Sequence, residues 1–227
     1  MIEIKKVSKL YNGSNEFSLE EMSLHLDPGD FVFLVGASGA GKSTLIKLIF
    51  REQLPTKGNI YFENKDIATY RKKELLEHRR RIGMVFQDYK LLKQKTVFEN
   101  VAFALEVLGR SPKEIQRKVP EALEKVGLAD RANAFPSELS GGQQQRVGIA
   151  RAIVKDPVLI LADEPTGNLD RDNALQIMKL FEKINQEGTI VVIATHAWDL
   201  VDLMQKRVVE LEGGKLKRDE QGGYSHE

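Results

Sequence analysis

A glycine-rich segment that follows a short apolar run constrains the fold of this chain more than any other part of its sequence. Residues 36–44 match the pattern G-x-x-x-x-G-K-[ST]. They come directly after the apolar run Phe31–Val35 and lead into a predicted helix over residues 43–50. A strand, this loop and a helix, in that order, form the context in which the pattern folds around phosphate groups. The alternative, a glycine-rich turn that only caps a helix, is therefore disfavoured.

The residue types in this loop suit a nucleoside triphosphate. Glycines allow successive backbone N–H groups to point at phosphate oxygens, and the start of the helix adds a partial positive charge. Lys42 supplies a cation for the β- and γ-phosphates, and the Ser43 hydroxyl is a ligand for Mg²⁺. The predicted nucleotide-binding residues of the loop are Gly36, Ala37, Ser38, Gly39, Ala40, Gly41, Lys42, Ser43 and Thr44.

Other short apolar runs predict a parallel sheet around this loop, because such runs are typical of strands that helices cover on both faces. The further runs are 82–86, 158–162 and 190–194, and helical patterns span 97–108, 143–154, 170–187 and 198–204. Shorter, partly alternating strands are predicted over 2–7, 17–26 and 59–62, and a hairpin over 207–211 and 215–217. The sequence thus predicts an α/β fold with a mostly parallel core sheet, an N-terminal antiparallel β-subdomain and a helical insertion.

The chain is expected to form one domain. We predict a catalytic core with its antiparallel β-subdomain over residues 1–87 and 155–217, a helical subdomain over 88–154, and a flexible tail over 218–227. Within the insertion, Ser111 and Pro112 start a helix that Pro120 should kink or split.

Composition and charge argue against several other classes of protein. The chain has 34 Lys and Arg against 33 Asp and Glu, and this net charge of +1 does not favour a nucleic-acid binder. It has no cysteine, which excludes a disulfide framework, a Cys-ligated metal and thiol catalysis. The charged N-terminus does not resemble a signal peptide, and the longest apolar runs fall far short of the about 20 residues that span a membrane. Action at a membrane would therefore require a partner that anchors the chain.

Two acidic residues end the apolar run 158–162. Asp163 at the end of the strand would lie beside the phosphate loop and hold Mg²⁺, directly or through water. Glu164 points in another direction because strand side chains alternate, which suits it to orient or deprotonate the attacking water. Acids at a strand end are also commonly just solvated. The nearby phosphate loop makes the catalytic interpretation the better one.

A second glycine-rich helix start lies between these two motifs. Leu139-Ser140-Gly141-Gly142-Gln143 opens the helix predicted to run to residue 154, and its backbone N–H groups form another anion-binding arrangement. One nucleotide does not obviously need two such sites. The second site could serve the nucleotide of another copy of the chain, which the spacing suggests but does not establish.

Six motifs in this order resemble those of ABC-type ATPases: Walker A, Q-loop, signature, Walker B, D-loop and H-loop. In this chain they are residues 36–44, Gln87, 139–143, Asp163-Glu164, Asn168-Leu169-Asp170 and His196. The resemblance implies ATP hydrolysis with ATP and Mg²⁺, and a head-to-tail homodimer with two ATP molecules at its interface. Each ATP would lie between the phosphate loop of one copy and Ser140, Gly141, Gly142 and Gln143 of the other.

The resemblance also implies roles for residues that would not indicate any function by themselves. Tyr11 would stack on adenine, although by itself it could be a surface tyrosine. Gln87 would reach Mg²⁺ and the attacking water, and His196 would contact the γ-phosphate; either could otherwise be a solvent-exposed residue at a strand end. Asp170 would act across the dimer interface. The implied catalytic residues are Glu164, His196 and Gln87, and the implied Mg²⁺ ligands are Ser43, Gln87 and Asp163.

Residues 165–170, Pro-Thr-Gly-Asn-Leu-Asp, are similar to the ABC subgroup that contains lipoprotein-release, MacB-like and cell-division ATPases. Segments 31–41, 45–49 and 85–92 look most like the cell-division members. That likeness implies a peripheral protein at the cytoplasmic face of the cell membrane, at the division site. It would act with a polytopic membrane protein of the FtsX type to control peptidoglycan hydrolases. The alternative is the ATPase of a lipoprotein-release or MacB-like exporter.

Two further classes of function are disfavoured. A nucleic-acid-linked ABC protein would be expected to show a second ATPase domain, a coiled-coil insertion or a basic charge, so no nucleic-acid partner is expected. A non-hydrolysing, ATP-gated scaffold would not need Glu164 and His196.

Two segments could form contact surfaces. The coupling surface to a membrane partner is expected near residues 87–101, where Leu91, Leu92, Val97 and Phe98 form either a groove or ordinary core. Residues 71–81 carry six basic and two acidic side chains. This segment is a solvated helix face, an anionic-lipid contact or a nucleic-acid patch, in decreasing order of preference.

Overall fold

The computed structural model describes residues 1–11, 13 and 15–223, which form two sheets with helices around them. The larger sheet has the strand order β10-β9-β3-β8-β7-β6, in which only β10 runs antiparallel to its neighbour. Its strands are β3 (Phe31–Val35), β6 (Ile82–Phe86), β7 (Leu159–Asp163), β8 (Ile190–Ala194), β9 (Arg207–Glu212) and β10 (Lys215–Glu220). The predicted α/β fold with a mostly parallel core sheet is confirmed.

Both faces of this sheet are covered, which explains the continuous apolar runs. In β3, Phe33 and Val35 pack into one hydrophobic cluster, whereas Val32 and Leu34 pack into a second cluster on the opposite face. Strand side chains alternate between faces, so a strand buried on both sides needs apolar residues at every position.

The second sheet is antiparallel, as predicted for the N-terminal part, and has the order β2-β1-β4-β5. Its strands are β1 (Ile2–Leu10), β2 (Phe17–Leu26), β4 (Lys57–Phe62) and β5 (Lys65–Asp66). Ile4 of β1 lies opposite both Leu24 and Ile60, and all three side chains are buried. The buried face of this sheet belongs to the same cluster as helix α1 (Lys42–Ile49) and so lies against the phosphate loop.

The predicted helices are found, with ends that differ by one or two residues. Besides α1, the helices are α2 (Lys72–Arg80), α3 (Val97–Glu106), α4 (Pro112–Lys125), α5 (Gly141–Ile153), α6 (Arg171–Gln186) and α7 (Trp198–Met204). Helices α3, α4 and α5 pack on one another and share one hydrophobic cluster with the core sheet. No helix in the described ranges is long and apolar enough to cross a membrane.

Two local expectations differ from the structure. Helix α4 is not split at Pro120. Proline has no N–H to donate to the carbonyl of Gln116, but both residues are exposed, so water can satisfy that carbonyl. Of the flexible tail predicted over 218–227, residues 218–220 instead belong to β10, which extends to Glu220 beside β9. Tyr224, Ser225, His226 and Glu227 lie outside the described residues. The division into a core and a helical subdomain over 88–154 stays a prediction.

Candidate nucleotide site

The phosphate loop follows β3 directly, and its glycines adopt backbone conformations that other residues rarely take. The φ angles of Gly36, Gly39 and Gly41 are 139°, 81° and 107°. A Cβ atom at Gly36 would overlap the carbonyl oxygen of Leu211, and one at Gly41 would lie 2.5 Å from the carbonyl oxygen of Ser18. Glycine is therefore needed at both ends of the loop for the backbone to curl between the two sheets.

Lys42, at the first position of α1, points back into the loop. Its Nζ donates hydrogen bonds to the carbonyl oxygens of Gly36, at 2.6 Å, and of Ala37, at 3.1 Å. The residue is only 8% exposed. A largely desolvated ammonium group, held beside the N-terminus of a helix, attracts anionic oxygens strongly.

Ser43 connects the loop to the first of the two predicted carboxylates. Its hydroxyl donates a 3.0 Å hydrogen bond to Oδ1 of Asp163 at the end of β7. Burial raises the pKa of Asp163 and the charge of Glu164 acts in the same direction, while the Ser43 hydrogen bond and the nearby lysines lower it. Because burial disfavours the charged carboxylate, a cation bound beside Asp163 would stabilise that form.

The donor set around Ser43 and Asp163 fits Mg²⁺. Hydroxyl and carboxylate oxygens are ligands of hard cations, and Mg²⁺ is commonly held by one or two carboxylates together with substrate phosphates. Within the described ranges, no group of three or more His, Asp or Glu side chains could hold a metal.

Glu164 and His196 form the second feature of the site. Oε1 of Glu164 lies 2.9 Å from Nδ1 of His196, and Oε2 accepts a 3.3 Å hydrogen bond from the backbone N–H of His196. Glu164 has a φ of 50°, a left-handed conformation that costs a non-glycine residue about 1–2 kcal/mol. Its backbone N–H donates to the carbonyl of Ala194, at 2.9 Å, which holds this turn against β8. The strained turn directs the two side chains toward each other.

Gln87, just after β6, is held by the segment that follows Glu164. Asn168 donates from Nδ2 to the Gln87 carbonyl at 3.1 Å and accepts from Gln87 Nε2 at 3.5 Å. A Cβ atom at Gly167 would lie 2.9 Å from Gln87 Nε2, so glycine leaves room for this side chain.

The phosphate loop, Gln87, Glu164 and His196 line one cavity of about 660 Å³, and Asp163 is connected to it through its hydrogen bond with Ser43. Its lining residues are Ser18, Ser38, Gly39, Gly41, Lys42, Ser43, Thr44, Gln87, Glu164 and His196. The structure thus brings the predicted loop and the predicted catalytic residues together. Ser18, on β2, was not anticipated because no pattern in the sequence marks it. Tyr11 is adjacent, with its hydroxyl 3.3 Å from the Thr44 hydroxyl.

The glycine-rich start of α5 does not line this cavity. Ser140 caps the helix, since its hydroxyl accepts a hydrogen bond from the Gln143 N–H at 3.3 Å and its own N–H donates to Oε1 of Gln143 at 3.0 Å. Asp170 caps α6 in the same manner by accepting from the Asn173 N–H at 2.9 Å. Neither residue faces the nucleotide cavity of its own chain.

Gly142 is where these two helix starts touch. A Cβ atom at Gly142 would lie 2.6 Å from Oδ1 of Asn173, the residue that also binds Asp170. At Gly148 in the same helix, the nearest atom would lie 3.7 Å away. We expect Gly142→Ala to push the Asn173 side chain away from Asp170 and to lower the free energy of unfolding by about 1 kcal/mol, the net contribution of one hydrogen bond.

The matched variant Gly148→Ala should raise the free energy of unfolding by about 0.5–1 kcal/mol, because alanine favours the helix and meets no close atom there. Urea unfolding followed by circular dichroism measures both changes. A Gly142→Ala protein that unfolded at a higher urea concentration than the unaltered chain would contradict the close contact of α5 with α6.

A phosphate loop facing a glutamate–histidine pair, with a second glycine-rich helix start turned away from the cavity, is the arrangement expected of an ABC-type ATPase. The family profile described as "ABC transporter" matches residues 19–167. The chain is 54% identical to the "Cell division ATP-binding protein FtsE" of Bacillus subtilis over 98% of this chain and 97% of that protein. The Escherichia coli K12 protein of the same name is 47% identical over the full length of both. The chain therefore belongs to the ABC transporter ATP-binding family, within its FtsE group.

Solved structures agree with this assignment. An ATP-binding cassette solved as a dimer in a post-hydrolysis state with ADP and Pi is 36% identical, with a TM-score of 0.85 over 97% of this chain and 98% of that one. A bacterial ABC transporter cassette, also solved as a dimer, is 38% identical, with a TM-score of 0.86 over the same shares. The resemblance read from the six motifs is confirmed: the chain is an ABC ATPase that hydrolyses ATP.

Proposed function

We propose that this chain is the ATPase subunit of a membrane-associated cell-division complex, in which it works with a polytopic protein of the FtsX type. The observation that carries the proposal is full-length similarity to cell-division ATP-binding proteins of two distant bacteria, at 54% and 47% identity. In this proposal, ATP-driven changes of shape pass through the partner to control peptidoglycan hydrolases, and no solute is transported.

Different residues in and beside the cavity would bind phosphate, hold Mg²⁺ and activate the attacking water. Lys42 and the loop N–H groups bind the β- and γ-phosphates, and Ser43, Asp163 and Gln87 would hold Mg²⁺. When bound, Mg²⁺ neutralises charge that builds up on the phosphates. Glu164 orients the attacking water and accepts its proton as the new O–P bond forms and the bond to ADP breaks. His196 would contact the γ-phosphate, and its Nδ1, 2.9 Å from Oε1 of Glu164, would also hold that carboxylate in position.

We further propose that two copies bind ATP head to tail. Ser140, Gly141, Gly142, Gln143 and Asp170 lie outside the cavity of their own chain, which leaves them free to complete the site of a second copy. Tyr11, beside the loop, would stack on the adenine ring. The two solved relatives described as dimers support this arrangement.

A groove beside the catalytic core is the proposed docking place for the partner. This docking groove has a volume of about 520 Å³ and lies between α2, β6, α3 and α5. Its apolar lining includes Leu76, Phe103 and Val107, which are 47%, 40% and 66% exposed. Three exposed apolar side chains around one groove suit the apolar face of a partner helix.

The groove differs in its residues from the expected one. Val97 is fully buried, and Leu91 and Phe98 pack against the hydrophobic cluster of the core sheet. Neither these residues nor Leu92 line the groove, which supports ordinary core as the place of Val97, Leu91 and Phe98. The groove is instead lined by the part of α3 from Phe103 onward.

The proposed location is the cytoplasmic face of the cell membrane at the division site, reached through the partner. Partner capture tests this proposal. The Glu164→Gln protein is tagged, loaded with ATP and recovered from detergent-extracted membranes, and the retained membrane proteins are identified by mass spectrometry. Recovery of a small polytopic protein with a large external loop is expected. Recovery of a lipoprotein-release or MacB-like permease instead would leave the ATPase chemistry unchanged and overturn the proposed biological role.

A further inference from the structure

Lys155, the second residue after α5, has a terminal nitrogen that is held by two backbone carbonyls. Its Nζ donates hydrogen bonds to the carbonyl oxygens of Arg79, at 3.1 Å, and of Ile82, at 2.5 Å. Among the residues that the structure describes, this nitrogen has no ion pair and no third hydrogen bond. An ammonium group has three N–H donors, whereas a neutral amine has two N–H donors and a lone pair. Two carbonyl partners therefore suit the neutral amine.

The surroundings of Lys155 favour the neutral amine as well. Burial lowers the pKa of this lysine to about 8. At pH 7.5 about a quarter of the molecules would then carry the neutral amine at this position, whereas an exposed lysine is neutral in only about one molecule in a thousand. Desolvation and neighbouring cations are two ways in which proteins activate a lysine as a nucleophile.

The lone pair of this amine can be reached from the docking groove. When both N–H bonds of the neutral amine point at carbonyl oxygens, the lone pair points away from them. Lys155 lines the groove, whose volume is about 520 Å³, and a space of this size admits a small reagent. The free chain therefore offers a nucleophilic nitrogen to molecules that enter the groove.

The groove around Lys155 is lined by cations and by no carboxylate. Its other charged residues are Arg79, Arg80, Lys90 and Arg151. Arg80 and Lys90 form ion pairs, whereas the hydrogen bonds of the Arg79 and Arg151 side chains within the described part of the chain go only to backbone carbonyls. The Nε atom of Arg79 is buried and has no hydrogen-bond partner. A small molecule that carries a phosphate group would therefore be attracted to the groove.

We propose that Lys155 is a site of acylation by acyl phosphates, the mixed anhydrides of a carboxylic acid and phosphoric acid. The lone pair of Nζ attacks the carbonyl carbon of the acyl group and forms a C–N bond, while the bond from that carbon to the bridging oxygen breaks. Phosphate leaves with the electron pair of that bond and the amine proton passes to water, so nothing is oxidised or reduced. Arg79 is a positioning residue, because it attracts the phosphate group and does not itself react.

The inference goes beyond the proposed function and does not depend on it, because the free chain contains every protein group that the reaction uses. Acylation removes a positive charge and leaves a nitrogen with one N–H. Only one of the carbonyls of Arg79 and Ile82 can then keep its hydrogen bond. These carbonyls lie in the last turn of α2 and at the start of β6, so acylation would weaken the connection of both elements to the end of α5.

Acetyl phosphate is the probe that tests this inference. The full chain is incubated with it at pH 7.5, and peptide mass spectrometry measures the initial rate of acetylation at each lysine. Lys155 should react about tenfold faster than Lys179, the matched control on the exposed face of α6, because its larger neutral fraction outweighs its lower nucleophilicity. The rate at Lys155 should level off above about pH 8, whereas the rate at Lys179 should keep rising. A slower reaction at Lys155 than at Lys179 at pH 7.5 would overturn the inference.

Arg79→Gln separates attraction of the phosphate group from the reactivity of the lysine itself. This variant should acetylate Lys155 about tenfold more slowly with acetyl phosphate and at an unchanged rate with N-acetoxysuccinimide, an uncharged acetyl donor. ATP hydrolysis at the parental rate shows that the variant is folded. An unchanged rate with acetyl phosphate, or an equal loss with both reagents, would mean that the groove does not select acyl phosphates, and the inference would fail.

Discussion

Replacing Glu164 with glutamine should slow ATP hydrolysis by about 10²–10⁴-fold, the range expected when a general base is lost. Glutamine has nearly the same shape and can keep a hydrogen bond with His196, but it cannot accept the proton of the attacking water. The Glu164 side chain is not among those that contact the loop, so ATP affinity should change little. Phosphate release at saturating ATP measures the rate, and nucleotide titration measures the affinity.

The same variant should accumulate as an ATP-bound dimer, because the state that precedes hydrolysis persists. Size-exclusion chromatography with ATP and Mg²⁺ would show this as a shift to the mass of two chains. Glu124→Gln, which removes an exposed carboxylate from α4, is the control and should hydrolyse ATP at the parental rate. If Glu164→Gln also did so, the proton would be accepted elsewhere and the assignment of Glu164 would be wrong.

The parts of the site that the sequence predicted are those whose chemistry is local. The loop over 36–44 is contiguous, and its glycine and lysine positions follow from how a backbone wraps phosphate. Strands such as β3 and β8 were predicted with their observed ends because burial on both faces leaves an uninterrupted apolar run. Order along the chain then placed Asp163 and Glu164 at the same edge of the sheet as the loop.

Contacts between distant segments could not be predicted in this way. Gln87 and Asn168 are 81 positions apart, and nothing in either segment indicates that their side chains bond. The left-handed turn at Glu164 could not be predicted either, because no glycine in the sequence indicates it. Whether residues such as Val97 face the core or a groove could not be decided from the sequence either, since apolar residues follow the same helical pattern in both cases.

Replacing Lys42 with alanine should lower ATP affinity by about 30-fold to 4,000-fold. Removing one member of a largely buried charge pair costs about 2–5 kcal/mol, and each 1.4 kcal/mol corresponds to a factor of ten. Lys42 qualifies because it is 8% exposed and its Nζ is fixed by the carbonyls of Gly36 and Ala37, so the ammonium is already in place when phosphate arrives. Isothermal titration with ATP in the presence of Mg²⁺ measures the loss.

Lys179→Ala is the matched control, because it removes the same charge from an exposed position of another helix, α6, that does not line the cavity. It should leave ATP affinity within about twofold, since a charge outside the cavity acts through water, where a single interaction contributes about 1 kcal/mol or less. A Lys42→Ala protein that bound ATP as well as the Lys179→Ala protein would mean that the loop N–H groups alone hold the phosphates. The assignment of Lys42 as the phosphate-binding cation would then fail, while the glycine requirement at positions 36 and 41 would stand, because it follows from backbone contacts alone.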